Sequence, residues 1–353
     1  MIARHTEAID DAHRVLTAYD IRSSQLTPIA CGLINLTWRV TTTPGLSFIL
    51  QRLHPIFPPT VNLNLERVTR HLAARGMPTP RLMATCSGNY WVEDANATWR
   101  VLSFVAGESF ARVPDLEHAH SAGRLLGAFH AALRDFDGQL PFVRAPVHAP
   151  RRHVAALAEA LATGRQHRLQ PAVTAIANEV SSAIAVLPAI AETPLRLVHG
   201  DPKLSNLLFG AGATPICMVD FDTVGYAPLG YELGDAFRSW CNPYIEDGVE
   251  ADFDLSLFEA AIEGYASATI GYITAVEAHA IVSSTELIAL ELAARFAADA
   301  IHESYFAWDA ARFETCGDHN LARARNQVRV AASLRRQVAA AAAAVQHAFD
   351  VRP

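Results

Sequence analysis

Lysine is almost absent from this chain. Of its 29 basic residues, Lys203 alone is a lysine and the other 28 (29 less one) are arginines. The two cations are not interchangeable, since an ammonium is a compact hydrated charge and a guanidinium a planar fork. A chain that otherwise avoids the ammonium marks position 203 as one that needs it. Long apolar runs are missing too: none approaches the roughly 20 residues of a membrane span, which excludes a membrane partner of that kind. Cysteines are few and scattered. Cys31, Cys86, Cys217, Cys241 and Cys316 form an odd set without a CxxC pair, which argues against a disulfide framework and a thiolate zinc site. Basic excess is absent, with a net charge of −7, so nucleic acid is not expected as a partner. The first 20 residues are broken by Arg4, Glu7, Asp10, Asp11 and Arg14. They lack the apolar stretch of a secretion signal, which predicts a cytoplasmic protein.

What is present is a globular composition, 51% hydrophobic and 18% charged, able to bury a large core. The first third reads as mostly β. Residues 29–40, 47–52, 91–93 and 99–104 are rich in β-branched and aromatic residues and are separated by Gly, Pro or Asn turns. Between them Val61, Leu65, Val68 and Leu72 keep helical spacing, and the pattern stops at Gly76 with Pro78 beyond. From about Pro114 the chain turns helical, with Leu125, Leu126, Phe129 and Leu133 on one stripe and Val173, Ile176, Val180 and Ile184 on another. A β-rich interruption spans 195–223, and helical pattern returns over 256–350. These elements predict an α+β chain: a small sheet region with one helix over 1–105, then a large, mainly helical region over 106–353. The alanine-rich stretch 331–344 reads as a packed helix, with a dimer contact as the alternative.

The interruption carries the chemistry. Leu197-Val198-His199-Gly200-Asp201-Pro202-Lys203-Leu204-Ser205-Asn206-Leu207-Leu208-Phe209 is a polar loop between two apolar runs, and Met218-Val219-Asp220-Phe221-Asp222 sets two carboxylates at a strand end. The Asp201-x-x-x-x-Asn206 spacing is that of a phosphoryl-transfer loop. Such a reaction needs a carboxylate to receive a hydroxyl proton, and Asp201 is placed there. It needs oxygen ligands for a hard Mg²⁺ ion, and Asn206 and Asp220 supply them with Asp222 assisting. It also needs a cation for the charge on the transferred group, and Lys203 lies two residues from Asp201. The competing reading of Asp201 and Asn206 is that they only cap a turn.

His199 to Asn206, followed by Val219-Asp220-Phe221-Asp222-Thr223-Val224-Gly225-Tyr226-Ala227-Pro228-Leu229-Gly230-Tyr231-Glu232-Leu233-Gly234-Asp235, resembles the catalytic and metal-binding segments of the aminoglycoside and choline phosphotransferase superfamily. Gly32 to Asn35 with Phe48 to Arg52, Glu291 to Asp299, and His319 to Gln327 bring the resemblance closest to N-acetylhexosamine 1-kinases. The resemblance implies a bilobal protein-kinase-like fold: an antiparallel-sheet lobe over the nucleotide and a helical lobe for catalysis and substrate. It implies ATP and Mg²⁺ as cofactors, and Asp201 as base with Asn206 and Asp220 on the metal. Gly32, Asn35 and Thr37 would cover the phosphates, and Ser103, Phe104 and Val105 would contact adenine. Asp235 would anchor the catalytic loop or cap a helix. Two departures stand out. The strand position that holds a phosphate-binding cation in many members is Gln51, so Glu66, the expected helix partner, lacks that cation. In the helical region Ala149 follows His148 where the subgroup has an acid.

For the acceptor, Arg295 lies four residues from Glu291 and Asp299, so the three share one helix face. That face reads either as a fork for sugar hydroxyls or as an ion-pair ladder. His148, Tyr305 and His319 complete the acceptor candidates. The sequence thus predicts a kinase acting on a hydroxyl of a small molecule, foremost the anomeric hydroxyl of an N-acetylhexosamine. The alternatives are another hydroxyl acceptor (an amino alcohol, a homoserine-like compound or an aminoglycoside) and a nucleotide-binding regulator without catalysis.

Overall fold

The computed structural model describes residues 8–29, 35–43, 45–94, 97–143 and 145–350. The chain divides into two compact units: Met1–Gly107 with Asp135–Arg144 and Val219–Val224, and Glu108–Arg134 with Ala145–Met218 and Gly225–Pro353.

The first unit is built on five antiparallel strands, β1 (Ser23–Ile29), β2 (Leu36–Thr42), β3 (Ser47–Arg52), β4 (Val92–Asp94) and β5 (Ala97–Ser103), in the order β1-β2-β3-β5-β4. Because successive side chains alternate between faces, register decides the core. Trp38 pairs with Leu50 and Leu50 with Val101. That face, with Val40 and Trp99, is buried against Ala12, Val15, Leu16 and Tyr19. The rings of Trp38 and Trp99 stack with centroids 5.7 Å apart. Helix α1 (Ile9–Thr17) supplies Ala12, Val15 and Leu16 of this cover, with Tyr19 just past its end, so among the described residues two helices accompany the sheet where the sequence predicted one. The second is α2 (Val61–Ala74), which buries the expected Val61, Leu65, Val68 and Leu72. It ends as its sequence predicts. Gly76 takes φ +73°, its N–H bonds Ala73 O, and Met77 N–H returns to Leu72 O, both at 3.0 Å, a glycine-dependent helix stop.

The alternation that buries Trp38 and Trp99 turns Thr37, Gln51 and Arg100 to the other face, where Thr37 pairs with Gln51 and Gln51 with Arg100.

The second unit is mainly helical: α3 (Leu116–Ala132), α4 (Pro150–Thr163), α5 (Gln170–Ala185), α6 (Leu229–Trp240), α7 (Leu255–Ala268), α8 (Ala275–His302), α9 (Cys316–Arg336) and α10 (Val338–Phe349). Helices α3 and α7 touch backbone to backbone. A Cβ at Gly123 would stand 1.9 Å from Ala261 O, and one at Gly264 would stand 1.9 Å from His120 O, so only glycine permits this approach. Helix α8 runs 28 residues, and its buried face joins the core formed with α4, α5 and α9. Two short ladders complete the unit: β6 (Leu195–Val198) with β9 (Gly225–Pro228), and β7 (Leu207–Phe209) with β8 (Pro215–Met218). The loop from His199 to Asn206 joins β6 to β7. Among the described residues no helix is long and apolar enough to cross a membrane.

Candidate active site

The β6–β7 loop is held first by its backbone. Glu232, buried on α6, accepts His199 N–H on Oε1 and Gly200 N–H on Oε2, each at 2.9 Å. A carboxylate that takes two backbone donors fixes both position and direction. Gly200 adopts φ +83°, a conformation that favours glycine, and from it the chain enters Asp201. Downstream, Trp240 Nε1 donates to Pro202 O at 2.9 Å, and Asn206 N–H closes a 3₁₀ turn on Lys203 O at 2.9 Å.

Three predicted residues meet on this loop. Lys203 Nζ lies 2.6 Å from Asp201 Oδ2. Asn206 Nδ2 donates to the same oxygen at 3.1 Å and to Asp201 O at 2.8 Å. The one ammonium of the chain therefore sits on the carboxylate proposed as base. Both bonds to the carboxylate fall on Oδ2. With its Nδ2 committed to Asp201, Asn206 presents Oδ1 as its remaining polar atom.

Asp235, expected to anchor this loop or cap a helix, does neither. It lies inside α6, three residues after Glu232, and its Oδ1 accepts from Arg238 Nε and Nη2 at 2.9 and 2.7 Å. The anchor is Glu232. Its position in the motif was readable, but its backbone partners lie 32 and 33 residues upstream and leave no pattern of their own.

His148 sits between two acids, with Nε2 3.7 Å from Asp235 Oδ2 and Nδ1 3.4 Å from Glu291 Oε1. These are ion-pair distances, longer than good hydrogen bonds. Burial opposes protonation of the ring, but Asp235 and then Glu291 outweigh it and push its pKa up to about 9. Glu291 Oε1 also accepts Ala149 N–H at 3.2 Å. The acid expected at position 149 thus has a counterpart reaching in from α8.

The Glu291–Arg295–Asp299 face does not act as a ladder. Among the described contacts Arg295 makes no ion pair with either acid, and its guanidinium lies over the Phe306 ring at 5.6 Å. Asp299 instead organises the turn that follows α8. Its Oδ1 accepts Ser304 and Tyr305 N–H at 3.1 and 3.0 Å, and its Oδ2 accepts Phe306 N–H and Asn320 Nδ2, both at 2.9 Å. His319 is equally committed. Nδ1 accepts Asp309 N–H at 3.1 Å, Nε2 lies 2.7 Å from Asp247, and the ring stacks on Phe313 at 4.1 Å. Asp299 and His319 therefore differ from expectation, since a carboxylate and a ring so engaged hold a loop and leave no atom for an acceptor. Tyr305 is 47% exposed.

In the first unit, Asp220 adopts φ +70°, ψ +61° and leads into the 3₁₀ turn Phe221–Thr223. Asp is among the few residues that tolerate this left-handed conformation. Asp222, expected to assist a metal, is buried in an ion pair. Arg100 Nη1 donates to its Oδ1 at 2.6 Å and Nη2 to its Oδ2 at 2.9 Å. Asn35 Nδ2 adds a bond to Oδ2 at 2.7 Å. Gln51 joins the same network, its Oε1 accepting Arg100 Nε at 2.8 Å and its Nε2 donating to Thr37 Oγ1 at 3.2 Å. Arg100 Nη1 also reaches Asn62 Oδ1 on α2 at 3.2 Å. Glu66 lies 3.6 Å from both Arg70 and Arg81, so cations from its own helix and from the following segment face it. Ser103 Oγ accepts Arg81 N–H at 2.9 Å, Arg39 lies 4.3 Å from the Phe104 ring centroid, and Val105 is half-buried. Gly32 lies outside the described residues. Arg100 was missed from sequence. Its one signal was a charge inside the apolar strand Trp99-Arg100-Val101-Leu102.

Residues 25–268 match the phosphotransferase enzyme family APH. The chain belongs to that family and is a phosphotransferase, with a protein-kinase-like α+β fold. A homoserine kinase of Methylobacterium radiotolerans is 28% identical over 270 residues, covering 75% of this chain and 78% of the relative. Among solved structures, an amicoumacin kinase in complex with AMP-PNP, Ca²⁺ and Ami matches with TM-score 0.63 at 16% identity over 92% of each chain. A choline/ethanolamine kinase family protein from Mesorhizobium loti matches with TM-score 0.57 at 16% identity, over 97% of this chain and 99% of that one. These findings support a small-molecule kinase. They do not extend to the N-acetylhexosamine acceptor, which rests on the sequence resemblance.

Proposed function

We propose that the chain transfers the γ-phosphoryl group of ATP to a hydroxyl of a small polar acceptor, with Mg²⁺ as the divalent cation. The observation that carries this reading is the Asp201–Lys203–Asn206 cluster on a loop clamped by Glu232. The acceptor oxygen attacks the γ-phosphorus as its proton passes to Asp201, and the bond to the bridging oxygen breaks to leave ADP. Oδ1 is the atom assigned to receive the proton, because Lys203 and Asn206 both bond Oδ2. Lys203 holds the carboxylate and places positive charge beside the transferred group.

The two residues assigned to the cation each carry the oxygen donor that a hard ion takes. Asn206 turns its amide hydrogens to Asp201 and keeps a carbonyl oxygen, and Asp220 offers a carboxylate. Magnesium is held through one or two protein oxygens together with substrate phosphates. Bound there, it would neutralise charge on the phosphates as a Lewis acid. Asn35, Thr37, Gln51, Ser103, Phe104 and Val105 are assigned to the nucleotide side. Within that group Asn35, Thr37 and Gln51 act through the network around Arg100.

For the acceptor we assign Arg295, whose guanidinium makes no ion pair with Glu291 or Asp299 among the described contacts, with Tyr305 and His148. A fork of this kind grips adjacent hydroxyls of a sugar, in line with the N-acetylhexosamine reading. The likeness to a homoserine kinase favours a second reading in which the hydroxyl belongs to an amino acid. ADP release measured over N-acetylhexosamines, homoserine, choline and aminoglycosides decides between them. Turnover with a hexosamine supports the first reading and turnover with homoserine the second. No ADP release with any acceptor, from folded protein that binds ATP, sinks the kinase reading.

A further inference from the structure

We infer that Arg100 is a positioning residue for the metal-side carboxylate Asp220. The inference rests on the proposed role of Asp220 and goes beyond it to what holds that carboxylate in place.

Arg100 is 1% exposed. An arginine buried in a strand is destabilising unless its donors are matched. Here the matching is nearly complete. Nε is taken by Gln51 on the neighbouring strand, Nη1 by Asp222 and Asn62, and Nη2 by Asp222. The bidentate pair ties the segment Val219–Val224, which contributes no strand to the sheet, to the middle of β5. A lysine could not make this connection, because it offers one point of charge rather than a fork.

The tether ends two residues from Asp220, which holds a left-handed conformation that an unconstrained aspartate seldom keeps. Fixing Asp222 at the centre of the Phe221–Thr223 turn restrains the backbone from which the Asp220 side chain projects. The buried pair thus has a task besides stability. Gln51 fits this account. Its neutral amide oxygen accepts from Arg100 Nε, which a cation at the same strand position would repel.

The test is calorimetric binding of AMP-PNP to the full chain, once in EDTA and once with excess MgCl₂. Wild type is expected to bind more tightly with the metal. Arg100→Lys and Arg100→Met are expected to lose about tenfold or more of that gain, taken as the ratio of the two affinities within each variant, whatever change the affinity in EDTA shows. The double variant Arg100→Met/Asp222→Leu separates positioning from packing, since replacing a buried pair by apolar residues often restores stability. Recovery of the melting temperature without the metal-dependent gain supports the inference. Recovery of both overturns it. Asp220→Asn is the control for the underlying reading. If that variant keeps the gain, Asp220 is not on the metal and the proposed function fails at that point. If it loses the gain while the Arg100 variants keep it, the inference alone is overturned. Should the Arg100 variants not fold, amide exchange on wild type decides: slow exchange across 219–224 supports the tether, and exchange as fast as an open loop removes it.

Discussion

The two acidic segments of this protein are held by opposite means. The loop bearing Asp201 is fixed through its backbone, by a buried carboxylate that takes the amides of His199 and Gly200. Its Lys203 and Asp201 side chains pair with each other, and both are partly exposed. The turn bearing Asp220 is tethered through a side chain, Asp222, buried against Arg100. A backbone clamp fixes its loop without consuming the Asp201 carboxylate as the anchor. A side-chain tether consumes one carboxylate to place another. That explains why two acids two residues apart have different fates, and why the second cannot be read as a metal ligand from spacing alone.

The largest effect expected on the first segment is chemical. Asp201→Asn removes the proton acceptor without altering the clamp, and turnover should fall by roughly 10²–10⁴ with nucleotide binding little changed. Steady-state kinetics beside ATP calorimetry would show this. Turnover near wild type would remove Asp201 from its role.

Glu232→Ala strikes the clamp instead. It leaves two buried N–H donors unmatched, each worth about 1–3 kcal/mol, so a loss on the order of 3 kcal/mol is expected in urea unfolding, with a lower kcat. Asp235→Ala should also destabilise, through Arg238 and His148, but should spare the catalytic loop. If Asp235→Ala lowers kcat in folded protein more than Glu232→Ala does, the anchor has been misassigned.

Much of the scaffold was readable in advance, and the reason is locality. Strand β3, helix α2 with its Gly76 stop, and the Asp201–Asn206 spacing are all set by neighbours within a few residues. Helix α1 was missed although Ala12, Val15 and Leu16 keep helical spacing, because that stripe is short and its purpose appears only once Trp38 and Trp99 need a cover. Arg100 escaped for a sharper reason. Its partner Asp222 lies 122 residues away, and no periodicity links them. Asp299 and His319 were misread in the same way. A conspicuous polar residue on a helix face invites a ligand, whereas the atoms that occupy both belong to the turn after α8 and to Asp247.

Gln51→Lys bears on the second segment. If the strand merely lacked a phosphate-binding cation, supplying one should raise ATP affinity. The geometry demands the reverse. The new ammonium removes the acceptor of Arg100 Nε and adds a like charge beside it, so stability should fall by about 2 kcal/mol and ATP affinity should not improve. Tighter ATP binding by Gln51→Lys would break the contrast between the two segments, because the position would then answer to phosphate and not to Arg100.

The smallest expected effect falls on the one lysine. Lys203→Arg keeps the charge of a partly exposed pair, and such pairs contribute about 0–1 kcal/mol, so the unfolding midpoint should hardly move. Shape is what changes. The ammonium meets Asp201 at a single oxygen, Oδ2, which Asn206 shares. A guanidinium prefers to grip both oxygens of a carboxylate at once, and in doing so it would cover Oδ1, the atom assigned to the acceptor proton. A fall in kcat on the order of tenfold is expected, with KM for ATP little altered. Lys203→Gln, which keeps a donor and discards the charge, separates the two contributions. If arginine matches lysine while glutamine fails, charge alone is required at 203. If both fail, the compact head of lysine is what the loop needs, and its presence at 203 in a chain with no other lysine has a chemical cause.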